Sequence, residues 1–202
     1  MNDKDKNIYP IFDQMLSRQH KEQLLNQCGT VIWMTGLSGS GKSTIGKGLE
    51  KKLFDEGVLT TLLDGDNVRT GINNNLGFSL EDREENIRRI AETAKLFLES
   101  AIVTICCFVS PLKSIRDRAR EIIGDENFIE VYINTPLDIC EERDVKGLYQ
   151  KARSGNLANF TGIDSPFEAP DSPYVEIKTL NRTVEESVEE LYQAVMNKIK
   201  LV

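Results

Sequence analysis

Histidine, paired cysteines, long apolar runs and excess positive charge are all scarce in this sequence. There is one histidine, His20, and none of the four cysteines belongs to a C-x-x-C pair, which disfavours a zinc site. No apolar run is long enough to span a membrane, and the first residues lack the apolar core of a signal peptide. The formal net charge of -7 argues against broad nucleic-acid binding, because that needs a basic surface. We therefore expect a cytoplasmic enzyme with buried, reduced cysteines and with no nucleic-acid or membrane partner.

A glycine-rich loop follows the first apolar run. That run, residues 31–35, predicts a buried strand, and residues 36–43 read GLSGSGKS, which fits the P-loop pattern G-x-x-x-x-G-K-[ST]. An amphipathic helical pattern comes next, and its N-terminus favours a bound phosphate. Lys42 can reach the β- and γ-phosphates of ATP, and the Ser43 hydroxyl can ligate Mg²⁺. The candidate ATP-binding residues are Gly36, Leu37, Ser38, Gly39, Ser40, Gly41, Lys42, Ser43 and Thr44.

Four further apolar runs predict strands, at 58–63, 101–109, 128–133 and 175–177. Helical patterns separate them, and capping signals precede three of the helices: Ser79 with Asp82, Thr135-Pro136 with Asp138, and Thr183 with Glu186. This alternation predicts an α/β fold with a five-stranded parallel sheet that helices cover on both faces. We expect residues 17–202 to form a single domain of the P-loop NTPase type and residues 1–16 an N-terminal arm.

A second ligand site is predicted where the second strand ends. Residues 64–69 read DGDNVR, and two carboxylates with an arginine at the carboxyl end of a parallel strand form a candidate site. Arg83 and Asn86 lie one turn apart near the start of the long helix that follows Ser79. Both segments are expected on the same sheet edge as the P-loop.

Ser110 closes the third predicted strand and has two compatible interpretations. With Pro111 at the first helical position, Ser110 can be the N-cap of the next helix. Its place at the carboxyl end of a strand also allows a contact with substrate.

A local basic cluster at residues 143–153 stands out in an acidic chain. It is either a lid that folds over phosphates and excludes water or a solvated helix surface, and the P-loop favours the lid. The segment 154–173 is rich in Gly, Asn, Ser and Pro, which is typical of a functional or disordered loop. Without an Asn/Thr-Lys-x-Asp guanine signature, the residues alone predict an ATP-dependent phosphoryl transferase with a second ligand.

Taken together, these motifs resemble the adenylylsulfate kinase (APS kinase) family. The likeness covers nearly all of the chain from about residue 17, and it rests on residues 18–19, 29–44, 63–69, 76–79, 82–89, 108–111, 146–149, 159–166 and 169–170. It implies transfer of the ATP γ-phosphoryl group to the 3′-hydroxyl of adenylyl sulfate, which gives ADP and 3′-phosphoadenylyl sulfate in sulfate assimilation. Thr70, Cys107 and Val145 depart from the family pattern, which usually has His, Ser or Ala, and Pro there.

The resemblance also implies roles for residues. Transfer would be direct and in line, with Mg²⁺ bridging the ATP phosphates. Asp66, or else Asp64, would orient the 3′-hydroxyl and accept its proton. Ser110 matches a position assigned as a phosphoserine intermediate, although a direct transfer needs no covalent step. The implied acceptor-binding residues are Asp64, Asp66, Arg69, Phe78, Arg83, Asn86, Ser110, Pro111, Lys146, Phe160, Thr161 and Gly162, while Arg143 joins the ATP-binding set and the catalytic set is Lys42, Asp66 and Ser110.

The expected protein partners are a second copy of the chain and an ATP sulfurylase, and two other functions compete with the one implied above. The family implies a homodimer, and the length leaves no room for a fused ATP sulfurylase of ordinary size, so a separate sulfurylase partner is expected. One alternative is another small-metabolite or nucleoside-monophosphate kinase on the same fold. The other is a nucleotide-binding regulatory module without catalysis, which the intact Lys42, Ser43 and Asp66 disfavour.

Overall fold

A five-stranded parallel sheet runs through the computed structural model, which describes residues 7–201. The strands lie in the order β2-β3-β1-β4-β5, and each neighbouring pair is parallel. Their bounds are β1 (Thr30–Thr35), β2 (Thr60–Asp64), β3 (Val103–Cys107), β4 (Phe128–Asn134) and β5 (Val175–Lys178). The predicted fold class is therefore confirmed.

Helices connect the strands and cover both faces of the sheet. Their bounds are α1 (Arg18–Leu25), α2 (Lys42–Asp55), α3 (Gly65–Arg69), α4 (Leu80–Leu98), α5 (Lys113–Ile123), α6 (Leu137–Arg143), α7 (Leu148–Arg153) and α8 (Val184–Ile199). Among the described residues, none of these helices is both long and apolar enough to cross a membrane. Of the predicted arm, residues 1–6 lie outside the described part of the chain.

Two hydrophobic cores follow from the alternation of side chains along the strands. Ile32 and Met34 of β1 pack into the core under α2 and α8, whereas Val31 and Trp33 pack into the core under α4 and α5. All four side chains are fully buried. Because both faces of the sheet are covered, the strands appear in the sequence as continuous apolar runs.

The capping signals at Ser79 and Thr183 are confirmed, and those at Thr135 and Ser110 are wrong. The residue before α6 is Pro136, and the Thr135 hydroxyl bonds instead to the Ser40 carbonyl and to Thr179. The Ser79 hydroxyl accepts a hydrogen bond from the Asp82 amide at the start of α4, and Thr183 with Glu186 forms a full capping box on α8. The prediction that Ser110 caps the next helix is wrong, because α5 begins at Lys113 after Leu112. Ser110 instead has a left-handed backbone with φ of 36°, and its polar atoms bond elsewhere.

Candidate active site

A cavity of about 400 Å³ opens beyond the ends of β1, β2 and β3, where the P-loop and the acidic turn meet. Most of the residues predicted from the sequence line it: Ser38, Gly39, Gly41, Lys42, Ser43, Thr44, Asp64, Asp66, Arg69, Phe78, Arg83, Asn86, Ser110, Pro111, Lys146, Phe160 and Thr161. Side chains from distant parts of the sequence therefore converge on one space, as ligand sites of open α/β sheets do.

Five predicted residues do not line this cavity: Gly36, Leu37, Ser40, Arg143 and Gly162. Leu37 and Gly162 border a separate, shallow depression. The Arg143 guanidinium lies 3.4 Å from the carbonyl oxygens of Gly39 and Ser40, so it contacts the P-loop without reaching the cavity.

Glycines shape the P-loop for two physical reasons. Gly39 and Gly41 have φ of 75° and 108°, in the left-handed region that other residues rarely adopt. At Gly36, a Cβ atom would lie 2.6 Å from the carbonyl oxygen of Ile133. The loop can therefore pack closely against β4 while it leads into the N-terminus of α2, which begins at Lys42.

Lys42 is buried and lies inside the P-loop. Its ammonium group donates to the carbonyl oxygens of Gly36 and Leu37 at 2.9 and 2.8 Å, and it lies 3.4 Å from the Ser40 hydroxyl. Burial lowers the pKa of Lys42 to about 8, because the charged form loses hydration there. A bound phosphate would give the Lys42 ammonium group a negatively charged partner.

Ser43 and Asp64 form an oxygen pair beside the P-loop. The Ser43 hydroxyl donates to Asp64 at 2.5 Å, and the second carboxylate oxygen of Asp64 accepts from the Asp66 amide at 3.0 Å. Mg²⁺ prefers such oxygen ligands and binds through one or two protein groups plus phosphates and waters. Ser43 and Asp64 therefore fit Mg²⁺. Residues 7–201 contain no cluster of three or more acidic, His or Cys side chains that could hold a metal.

Lys146 reaches from the basic segment to the acidic turn. Its ammonium group forms an ion pair with the Asp66 carboxylate, although both side chains remain more than half exposed. Exposed pairs of this kind contribute only about 0–1 kcal/mol. A substrate that enters the cavity can therefore displace the contact at little cost.

Two arginines that line the cavity, Arg83 and Arg69, are held by backbone carbonyls. Arg83 donates to the carbonyls of Phe78 and Asn159 and to the Thr161 hydroxyl, so it joins the start of α4 to the irregular segment. Burial lowers the pKa of the Arg83 guanidinium. Because its donors are held in place, Arg83 is oriented before any ligand arrives.

Arg69 lies beside the aromatic wall of the cavity. It donates to the carbonyls of Leu76 and Gly77, and its guanidinium lies 4.4 Å from the centre of the Phe78 ring. Burial lowers the pKa of Arg69 as well. Phe160, the other predicted stacking residue, meets Tyr149 edge-on at 4.9 Å. Stacking of either ring on a base remains a prediction.

Ser110 is almost fully buried at the back of the cavity. Its hydroxyl accepts a hydrogen bond from the Trp33 indole at 3.2 Å and lies 3.5 Å from the Phe108 carbonyl. Its own carbonyl accepts from Arg116 at 2.8 Å. A general base does not appear among the hydrogen-bond partners of the Ser110 hydroxyl in the described part of the chain.

Sequence reasoning assigned no individual role to three residues of this site. The Tyr149 hydroxyl donates to the Ser38 carbonyl at 2.8 Å, and the Asn73 amide donates to Asn86 at 3.0 Å. The Cys107 sulfur lies 3.5 Å from the Lys42 carbonyl oxygen, and burial raises the pKa of that thiol to about 12. Their partners are distant in sequence or lie in irregular segments, so no local pattern marks these contacts.

The sequence and the structure are both similar to those of known kinases. The sequence model described as adenylylsulphate kinase matches residues 28–178. The adenylyl-sulfate kinase of Phocaeicola vulgatus is 58% identical over 192 residues, which are 95% of this chain and 94% of that protein. The adenylyl-sulfate kinase of Bacteroides fragilis is 56% identical over 197 residues, 98% of each chain.

A solved structure supports the same grouping. The APS kinase of Mycobacterium tuberculosis, solved in complex with AMPPNP and APS, superposes with a TM-score of 0.80 and 42% identity. The match covers 83% of this chain and 98% of that one.

Proposed function

The chain belongs to the adenylylsulfate kinase family, and from that premise we infer what each part of the cavity does. The activity is that of an adenylyl-sulfate kinase: the γ-phosphoryl group of ATP passes to the 3′-hydroxyl of adenylyl sulfate, and ADP and 3′-phosphoadenylyl sulfate leave. The observation that carries the assignment of the site is that the P-loop and residues 64–69 line one cavity.

The donor half of the site is the P-loop. Lys42 holds the β- and γ-phosphates together with the backbone amides at the start of α2. Ser43 and Asp64 would hold Mg²⁺, which would offset the charge that develops on the phosphates. Arg143 steadies the loop from outside the cavity, through the Gly39 and Ser40 carbonyls.

Asp66 is the better candidate for the residue that orients the 3′-hydroxyl and accepts its proton. The carboxylate oxygens of Asp64 are taken by Ser43 and by the Asp66 amide. The Asp66 carboxylate instead reaches the exposed Lys146, a contact that a substrate hydroxyl can replace. Asp64 would therefore serve the metal, and Asp66 the acceptor hydroxyl.

The acceptor half gathers side chains from α3, α4 and the irregular segment. Arg69, Arg83 and Asn86 bind the phosphosulfate, since a guanidinium offers forked donors to such an anion. Phe78 and Phe160 stack on the adenine, and Pro111 and Thr161 complete the wall. Gly162 follows Thr161 but lies outside the cavity, so it supports the acceptor site only through the backbone. Lys146 closes over the reacting groups as part of a lid and substrate loop at residues 143–172, within one domain at 17–202.

Ser110 binds the acceptor and is not phosphorylated in the reaction. Its hydroxyl is buried and hydrogen-bonded to the Trp33 indole, and none of its hydrogen-bond partners within residues 7–201 is a base. Direct transfer needs only positioning and charge stabilisation. Incubation with ATP alone, followed by intact-mass measurement, should add no phosphoryl group to the chain; a stoichiometric addition that is lost in Ser110→Ala would contradict this.

The central test is a coupled assay with adenylyl sulfate as acceptor. Asp66→Asn keeps the shape of the side chain but removes the base, so kcat should fall by about 100-fold or more. Asp55→Asn is the matched control, because Asp55 forms an exposed ion pair with Lys51 and does not line the cavity. We expect its kcat to equal that of the unmodified chain.

Two results would overturn parts of this proposal. An Asp66→Asn enzyme with nearly full kcat would remove Asp66 from the catalytic role but leave the activity standing. Turnover of AMP or a sugar, with none of adenylyl sulfate, would instead favour the alternative of another kinase on the same fold.

We also propose that the enzyme is a cytoplasmic homodimer that works beside a separate ATP sulfurylase. Apolar side chains of the N-terminal arm support a partner surface, since Ile8, Ile11, Phe12, Met15 and Leu16 are each more than half exposed. Light scattering on the full chain and on a variant that lacks residues 1–16 tests this. A monomeric full chain would exclude the dimer.

A further inference from the structure

Arg116 is a charged residue that the reaction does not use, yet it is among the most buried side chains. It lies on α5 and is 2% exposed. Its Nε donates to Glu130 of β4 at 2.9 Å, and both side chains are almost fully removed from water. A buried guanidinium is stable only where hydrogen bonds replace its lost hydration. The bonds of the two remaining nitrogens therefore show what holds Arg116 in place.

The other two nitrogens of Arg116 each donate to a backbone carbonyl, and the two carbonyls belong to segments far apart in the sequence. One nitrogen donates to Ser110 at 2.8 Å, and the other donates to Glu168 at 2.8 Å. Ser110 follows β3 and lines the cavity. Glu168 belongs to residues 160–171, which we call the strap. Arg116 therefore joins β4, the end of β3 and the strap at one point.

Further bonds fasten the strap to the loop that follows Ser110. The Glu168 amide donates to the Pro111 carbonyl at 2.8 Å, and the Glu168 carboxylate accepts from the Lys113 amide at 2.7 Å. The strap in turn carries Thr161, whose hydroxyl accepts from Arg83. The position of Arg83 is thus linked to that of Ser110 through the strap.

Ser110 needs such support because of its backbone. A φ of 36° is unusual for a residue other than glycine, and a strained conformation persists only where its surroundings over-determine it. Three groups fix Ser110: Arg116 and Thr35 donate to its carbonyl, and Trp33 donates to its hydroxyl. Of these, only Arg116 also contacts the strap.

We propose that Arg116 is a positioning residue for the acceptor half of the site. By holding the Ser110 and Glu168 carbonyls together, it fixes the distance between the end of β3 and the strap, and so sets the affinity for adenylyl sulfate without touching it. The identity of that ligand rests on the proposed function; the geometric role of Arg116 does not.

Arg120 provides a matched control within the same helix. It pairs with the other oxygen of the Glu130 carboxylate at 2.9 Å and with Asp125 at 3.1 Å. Its side chain is 33% exposed, and no hydrogen bond joins it to Ser110 or to the strap among the contacts of the described residues. Arg120→Met therefore weakens the Glu130 network while the bonds to the active-site segments remain.

The experiment compares Arg116→Lys, Arg116→Met and Arg120→Met by steady-state kinetics. Arg116→Lys keeps a positive charge beside Glu130 but loses the fork that reaches two carbonyls. Both Arg116 variants should raise the KM for adenylyl sulfate by about 10-fold or more, since small displacements of positioning groups have large effects. The KM for ATP should change by less than about 2-fold, because the P-loop is untouched. Arg120→Met should leave both KM values unchanged.

Tryptophan fluorescence gives a readout that does not depend on activity. Trp33 is the only tryptophan in the sequence, and its indole donates to Ser110. The emission maximum should shift further in both Arg116 variants than in Arg120→Met, which alters the Phe128 ring stacked on Trp33 but leaves the bond between Trp33 and Ser110 in place. A merely structural role would lower the melting temperature of all three variants but would not separate them by spectrum or by KM.

The outcomes distinguish this inference from the proposed function. Folded Arg116 variants with the KM values and emission spectrum of Arg120→Met would overturn the role of Arg116. If neither Arg116 variant folds, amide exchange of the unmodified chain decides: adenylyl sulfate should slow exchange at Glu168, and an unchanged rate would overturn the inference. Failure of the unmodified chain to use adenylyl sulfate would overturn the function instead, and the Trp33 spectra would still judge the geometry.

Discussion

At the scale of the residue, Lys42 shows how burial prepares a group for its ligand. Its ammonium group is bonded to two carbonyl oxygens and a hydroxyl, none of which carries a formal charge. Burial therefore lowers its pKa to about 8. Phosphate oxygens would restore a charged partner and raise the pKa again. ATP binding and the protonation of Lys42 are consequently coupled.

Binding of ATP should take up a proton above neutral pH. With a pKa near 8 in the free chain, Lys42 is about half protonated at pH 8, so uptake should be about 0.5 proton per ATP there and approach one at pH 9. Because Lys42 holds its proton more tightly when ATP is bound, ATP affinity falls as pH rises above 8. Calorimetric titration in buffers of different ionisation enthalpy measures this uptake.

Lys42→Arg is the control for that titration, because a guanidinium keeps its proton at every pH used. Its proton uptake should vanish while some nucleotide affinity remains. Equal uptake by Lys42→Arg and by the unmodified chain would assign the proton to another group.

At the scale of the element, the start of α2 lies unusually close to β3. A Cβ atom on Gly46 would meet the Cys107 sulfur at 2.6 Å, closer than side chains tolerate. That sulfur cannot move freely, because it contacts Met34 and the Lys42 carbonyl. Glycine at position 46 is thus required by the approach of helix to strand.

Gly46→Ala should lower the free energy of unfolding, although alanine favours a helix by about 1 kcal/mol over glycine. Overpacking in a fixed core costs about 1–3 kcal/mol, and here it outweighs the gain in helix propensity. In a Cys107→Ala background the obstructing sulfur is gone, so the same substitution should become neutral or stabilising. Denaturant unfolding of the four proteins in this cycle gives a coupling of about 1 kcal/mol or more.

Gly71→Ala serves as the reference for that cycle. A Cβ atom on Gly71 meets nothing within 4 Å, so its effect should be the same with and without the Cys107 sulfur. Additive effects of Gly46→Ala and Cys107→Ala would mean that the helix can shift away from β3.

At the scale of the whole molecule, the site is assembled from segments that are spread over more than half of the chain. The cavity is lined by residues between Ser38 and Thr161. The basic segment at residues 143–153 contains the short helix α7, whose amides at Tyr149 and Gln150 bond to the Asp144 carboxylate. A six-residue helix is marginal alone, so the bond from Tyr149 to the P-loop stabilises it, and bound ligands should stabilise it further.

ATP analogue and adenylyl sulfate together should protect α7 from trypsin. Lys151 and Arg153 are exposed on this helix, and cleavage there requires local opening. We expect the two ligands to slow cleavage by about 10-fold. This requires that they bind the closed form of α7 about 10-fold more tightly than the open form. Gel analysis with mass identification of the cut site measures the rate.

Tyr149→Phe is the variant that isolates the contact between α7 and the P-loop in this assay. It removes the hydroxyl that donates to the Ser38 carbonyl while keeping the ring against Phe160. Cleavage without ligands should be faster in Tyr149→Phe than in the unmodified chain. Equal cleavage rates with and without ligands would show that the basic segment at residues 143–153 does not close over the bound ligands.

The sequence by itself determined the sheet, the P-loop and the family. Apolar runs and the glycine pattern are local signals, because a strand buried on both faces and a phosphate loop each impose their residues on a short stretch. The resemblance added the acceptor, and relatives above 55% identity confirm that activity. Local rules also had a limit: Ser110-Pro111 fitted a helix start, but the helix begins at Lys113.

Tertiary structure alone decided which groups meet. Arg116 reads as one more basic residue on α5, yet it is buried because Glu130 and the Ser110 and Glu168 carbonyls surround it. Lys146 meets Asp66 across 80 positions of sequence. The physical reason is that periodicity records which face of an element is covered, whereas charge partners and left-handed backbones depend on segments brought together only by the fold.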